Sequence, residues 1–117
     1  MNDLITYSEL QSCFDNEDFV LKTQQQIAKD FAKLNLFFSE NFETEALTKE
    51  EIEHQIGPLI IDLMKEGETR LLQLLYTIDL SEKQFLSITT DPEFIQKLSE
   101  KILFREAYKV FLRTKFS

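Results

Sequence analysis

The chain has 117 residues with a net charge of −8, 43% apolar residues, eleven Phe and no Trp. That apolar content is too high for a disordered chain, and the length is that of one domain. Only two Gly and two Pro are present, which argues against a turn-rich sandwich or barrel and favours a few long helices.

The same scarcity excludes several chemistries. Gly57 and Gly67 lie ten residues apart, so neither a G-x-G-x-x-G dinucleotide loop nor a P-loop can be formed. Cys13 is the one cysteine, which excludes an intrachain disulfide and any Cys-rich zinc site. Met1-Asn2-Asp3-Leu4 has no basic start and leads into no long apolar run, so a cytoplasmic location without a membrane span is expected.

In chain order, the first signals are helix starts. Ser8-Glu9-Leu10-Gln11, Asp15-Asn16-Glu17-Asp18, Thr48-Lys49-Glu50-Glu51 and Ser81-Glu82-Lys83-Gln84 fit or approximate a capping box. Val20, Ile27, Phe31, Leu34, Phe38 and Phe42 follow helical spacing, predicting a first long helix from about Glu17 to Phe42. It would be roughly 36–39 Å long, at about 1.5 Å per residue.

Residues 43–47 read as an acidic connector. A second helix runs from Thr48 to about Glu66, with Ile52, Ile56, Leu59, Ile60, Leu63 and Met64 on one face. Gly57-Pro58 predicts a kink or a break within it, and Gly67 suits a left-handed closing residue. Residues 68–80 carry apolar side chains in most directions, predicting a central helix. A short helix follows at 81–88. Asp91-Pro92-Glu93 then opens the last long helix, to about Lys115. Its apolar face rotates from Phe94, Ile95, Leu98 and Ile102 toward Leu103, Phe104, Ala107, Tyr108, Val110 and Phe111. Such a helix touches two layers. The expected fold is an all-α, single-domain bundle of four main helices plus short ones over residues 1–117.

Charge is distributed unevenly. Residues 91–117 hold 6 Lys/Arg and 4 Asp/Glu, net +2, leaving the first 90 residues at −10. Lys97, Lys101, Arg105, Lys109 and Arg113 recur every four residues and form a slowly winding basic ridge about 24 Å long. The ridge reads either as neutralisation of the fold's own acids or as a docking strip for an acidic protein or phosphate-bearing ligand. Arg105 projects among apolar positions and needs a partner if buried; Asp62, Asp79 and Glu82 are candidates. The overall −8 opposes the approach of a polyanion and so disfavours nucleic acid as a partner.

Glu51-Ile52-Glu53-His54 contains the Glu-x-x-His spacing of di-metal bundles, but that site needs the motif twice and the chain has one His. Glu51 has the simpler role of closing its capping box. Cys13 reads as a small apolar residue. No catalytic residue, metal ligand or cofactor is assigned. The aromatic surplus, with Leu36, Phe37, Phe104 and Phe111 added to the stripes, reads as a broad core or as a homodimer or partner interface.

Leu74-Leu75-Tyr76-Thr77-Ile78-Asp79-Leu80-Ser81-Glu82, with Arg105-Glu106-Ala107-Tyr108-Lys109 near the C-terminus, resembles a group of short, uncharacterised all-helical bacterial proteins of the Bacteroidota type. The resemblance covers mainly the second half of the chain. It implies a small helical bacterial protein and brings no functional residue with it. The expected function is therefore binding, by a small interaction or structural protein, with the ridge and spare aromatics as contact surfaces. The alternative is a small-molecule or lipid-binding bundle with Tyr76 and Arg105 as polar groups in an apolar pocket.

Overall fold

The computed structural model describes residues 7–116, with side-chain surroundings for residues 8–114. Met1-Asn2-Asp3-Leu4 lies outside the described residues. Among these, the fold is all-α: α1 (Tyr7–Ser12), α2 (Glu17–Ala32), α3 (Lys49–Glu66), α4 (Glu68–Ile78), α5 (Glu82–Leu86) and α6 (Phe94–Phe116), with 3-10 turns at Cys13–Asp15 and Glu40–Glu43 and no strand.

Local chemistry sets the helix starts. Thr48 forms a complete capping box: its hydroxyl accepts from Glu51 N at 3.1 Å, and the Glu51 carboxylate accepts from Thr48 N at 2.9 Å. Those hydrogen bonds, first the backbone one from Thr48, hold the Glu51 carboxyl below its ordinary range. Ser81 accepts from Gln84 N at 3.1 Å and opens α5. At α2 the cap is Asn16, accepting from Phe19 N at 3.1 Å, one residue later than the Asp15 box predicts. Asp91 Oδ1 accepts from Glu93 N at 2.7 Å ahead of α6.

The first predicted long helix is corrected. It ends at Ala32 instead of Phe42 because Asn35 takes the left-handed conformation, φ 61°. Leu36 N then donates to Phe31 O and Asn35 N to Ala32 O, the paired bonds that close a helix. Leu36 turns inward and is buried. The chain reverses, so Phe38 and Phe42 return to the core from outside the helix. Phe38 stacks on Phe42 at 4.1 Å and leans on Phe31 at 5.0 Å. Buried Gln24 fastens the returning segment. Its Nε2 donates to Phe42 O and Glu45 O, and its Oε1 accepts from Leu47 N, all within 2.8 Å.

α3 runs through Pro58 as one helix. Buried Gly57 faces α6, and a Cβ there would lie 3.4 Å from Ile95 Cγ2. Gly67 separates α3 from α4 at φ 120°, ψ 161°, an extended left-handed conformation that essentially only glycine adopts. α4 repeats the closure of α2: Asp79 is left-handed at φ 63°, Leu80 N donates to Leu75 O, and Asp79 N to Tyr76 O.

The central helix is α6, not the predicted 68–80 segment. α6 packs against α3, α2, α1 and α4. Leu98, Ile102 and Leu103 join the main core with Ile27, Phe31, Ile52, Ile56, Ile60 and Leu74. Its later turns carry Phe104, Ala107, Tyr108 and Phe111 against Leu10, Phe14 and Phe19. The rotating apolar face thus serves two clusters. α4 buries Leu71, Leu74, Leu75 and Ile78, yet leaves Tyr76 82% exposed.

Candidate binding surfaces

The basic ridge is drawn largely into the protein's own acids. Lys97 Nζ lies 2.8 Å from Asp91 Oδ2. This pair holds Asp91 below its ordinary range, first through the hydrogen bond from Lys97, and raises Lys97 through the reciprocal bond. Arg105 Nη2 donates to Asp79 Oδ2 at 2.7 Å, so one of the three carboxylates expected from the sequence is its partner. The Arg105 guanidinium also sits 5.8 Å from the Tyr108 ring centroid, while its buried Nε has no hydrogen-bond partner. Arg113 Nη1 donates to Gln26 Oε1 at 2.7 Å. Lys101 makes no ion pair among the described residues and is half-buried.

Lys109 reaches furthest inward. Its ammonium lies 2.7 Å from Asp30 Oδ2 and 2.7 Å from Glu106 Oε1. Asp30 is also approached by Gln26 Nε2 at 3.2 Å and Lys33 Nζ at 3.5 Å. Glu106 is completely buried, and the close Lys109 contact is too poorly directed to count as a hydrogen bond to either carboxyl oxygen. Burial pushes the Glu106 carboxyl up to about 9, so it is neutral at pH 7. Burial also acts upward on Asp30, but the hydrogen bonds from Lys109 and Gln26, with the Lys109 charge, hold Asp30 low. For Lys109, burial acts downward and the two carboxyls more than reverse it. The result is an ionised Asp30–Lys109 pair beside a neutral acid, joining α2 to α6.

A second polar joint ties α3 to α6. Buried Glu53 accepts from Lys49 Nζ at 2.8 Å and from Gln96 Nε2 at 2.9 Å. Lys49 also lies 5.4 Å from the Phe104 ring centroid. Neither joint opens onto a cavity described in the structure. Both act as helix-to-helix fastenings.

The spare aromatics divide. Phe104 and Phe111 pack against α1 and the first 3-10 turn, with Phe14 edge-on to Phe104 at 5.6 Å. Phe37 is 68% exposed, on the loop after α2. The remaining exposed apolar groups include Ile61, Met64, Tyr76 and Leu86. One of these, Tyr76, lines a cleft. A small, half-open cleft of about 50 Å³ between α4 and α5 is lined by Leu72, Leu75, Tyr76, Leu80, Glu82 and Phe85. Leu86 follows Phe85 at the end of α5 and is 58% exposed. Arg105 does not line this cleft, so the expected Tyr76–Arg105 pairing within one pocket is not formed there.

Other predicted groups have plain surroundings. His54 is exposed, and Glu51 is engaged in its capping box. Cys13 is half-buried, its thiol raised first by burial and then by the charge of Glu9. Among the described residues, no cluster of three or more His, Cys, Asp or Glu could hold a metal ion.

Sequence reasoning missed Glu106 and Gln24. The signal for Glu106 is its place one turn from both Ile102 and Val110, inside a buried stripe. Gln24 stands likewise one turn from both Val20 and Ala28.

Fold and surfaces together define an all-α helical protein with no helix, among its described residues, long and apolar enough to cross a membrane. Comparison with known proteins gives no match to a family model, a curated protein or a solved structure.

Proposed function

We propose that this is a small interaction protein that acts by binding another protein, and that its contact surface is centred on α4 and α5. The observation that carries the reading is the exposure of Tyr76 at an apolar cleft, with Leu86 also exposed at the end of α5. An aromatic ring left 82% in water, beside clustered Leu and Phe, matches the anchors found at protein interfaces. A half-open cleft suits a partner's side chains better than a small molecule, which usually needs most of its surface enclosed.

The ridge on α6 has a supporting part. Lys97, Arg105, Lys109 and Arg113 hold α6 against acidic or amide groups of the same chain. Lys101 and Arg113 are the ridge members with no carboxylate partner among the described residues.

The test compares tagged wild-type protein with the Tyr76→Ser/Leu86→Ser double variant in capture from native lysate, read by mass spectrometry. A partner retained by the wild type and lost by the variant supports the reading. Equal capture by both sinks it. Light scattering of each protein over a range of concentrations reports self-association separately. A dimer that the variant abolishes would make the partner a second copy.

A further inference from the structure

The α4–α5 surface has a charge pattern as well as an apolar one. Glu68, Leu72 and Tyr76 succeed one another at four-residue steps, and Asp79 follows three residues later, so the four share one side of α4. Glu82 lines the cleft from the start of α5. Glu68, Asp79 and Glu82 are all exposed, one acid at one end of the apolar strip and two at the other.

The nearby cations offset part of this, at Asp79 and Glu82, and leave Glu68 uncovered. Arg70, the basic residue of α4, is turned back to Glu66 Oε1 at 3.3 Å, Gln73 Oε1 at 3.2 Å and the Leu34 carbonyl at 2.7 Å. Arg105 meets Asp79 from one side, leaving that carboxylate side chain 79% exposed. Lys83 is exposed beside Glu82. The whole chain stands at −8, so a second copy would approach this acidic face as a like-charged body.

We propose that the cleft between α4 and α5 docks a cationic amphipathic helix of a partner protein. Its apolar side chains would seat against Leu72, Tyr76 and Phe85, and its Lys or Arg residues would meet Glu68, Asp79 and Glu82. This rests on the binding reading given above and narrows it to one chemistry. Apolar anchors recurring along one face of a helix fit a groove, while flanking charges set orientation and association rate.

The experiment titrates the isotope-labelled full chain with a synthetic amphipathic helix bearing Leu along one face and Lys along the other, followed by amide chemical shifts. One control peptide keeps the Leu face and carries Glu in place of Lys. The other keeps Lys and carries Ser in place of Leu. The expected result is saturable binding of the Leu/Lys peptide, with shifts concentrated in α4 and α5. Tyr76→Ser should weaken it about tenfold or more, as removal of a central aromatic anchor does. Glu68→Gln/Glu82→Gln should weaken it several-fold and flatten its salt dependence. These positions are exposed, so the variants keep the core, and their melting curves verify it.

If the Leu/Glu peptide occupies the cleft as tightly, the cationic partner is wrong while the contact surface stands. If the Lys/Ser peptide binds equally well, or shifts scatter over the chain and survive Tyr76→Ser, the attraction is bulk charge and the docking site is overturned. If neither Leu-faced peptide moves α4 or α5, this proposal and the contact surface beneath it both fall.

Discussion

Lys109 Nζ stands 2.7 Å from a carboxylate on α2, Asp30, and 2.7 Å from a buried carboxyl on its own helix, Glu106. Two acids and one base share a nearly dry joint, and the deeper acid, Glu106, remains protonated at neutral pH. Folding therefore takes up a proton at Glu106, which ionises in the unfolded chain near its ordinary 4.5 and in the fold only at about 9. The fold binds more protons than the unfolded chain between those values, so this group's contribution is fully present below 4.5 and declines as pH rises toward about 9. Glu106→Gln keeps the shape and removes the titration. Its melting temperature should fall less than the wild type's between mildly acidic and alkaline pH, and should exceed the wild type's at the alkaline end. Parallel curves for the two proteins would show that Glu106 is ionised in the fold. Asp30 has the opposite sign: its folded value lies below 3.8, and its contribution is lost as pH falls through that lowered value.

Removing Lys109 tests the same joint from its cationic side. Lys109→Met leaves the Asp30 carboxylate buried without its closest cation, with Gln26 and the more distant Lys33 still nearby. The expected cost is about 3 kcal/mol, the lower part of the range for breaking a buried pair. The double variant Asp30→Asn/Lys109→Met should recover part of it. Denaturant unfolding of the two singles and the double gives the coupling, and strictly additive losses would deny that the two residues interact.

Gln24 fastens three backbone groups of the returning loop. Gln24→Leu preserves apolar volume and leaves those groups unpaired. A loss of about 1–3 kcal/mol is expected, typical of stranding a buried polar group. Amide exchange at Leu47 should quicken more than at Ile60 in the core of α3. Equal acceleration at both would mean the loop has no separate dependence on Gln24.

The two glycines should respond differently. Gly57 is helical, and an added Cβ would meet Ile95 Cγ2 at 3.4 Å, an ordinary contact. Gly57→Ala should change stability little, because the helix-propensity gain of up to about 1 kcal/mol is offset by crowding of the new Cβ against Pro58, which follows it in the helix. Gly67 has open space around it, so Gly67→Ala meets no neighbour. Its cost comes from the backbone at φ 120° and should be about 1–3 kcal/mol. Thermal or denaturant melts of both variants check the pair. A Gly57→Ala loss as large as that of Gly67→Ala would show that the crowding at position 57 outweighs the propensity gain.

The sequence by itself determined the all-α class, the starts of α3 and α5 and the rotating apolar face of α6. Each depends on chemistry within a few residues: a Thr hydroxyl and the amide three residues on, or a side chain and its neighbour one turn away. The end of α2 was written in the same local code, since Asn35 tolerates a left-handed backbone, but the Phe38 and Phe42 spacing masked it. Those rings match the helical stripe in sequence and reach the core through a chain reversal instead. Tertiary structure alone decided which charges are internal. A four-residue spacing reads the same whether lysines face water or carboxylates, and only the approach of α2 turns Lys109 into a partner of Asp30. Position 76 follows the same logic. Tyr76 belongs to an apolar run, but α3, α2 and α6 cover the other faces of α4, and its ring is left in water because no further helix among the described residues packs over it.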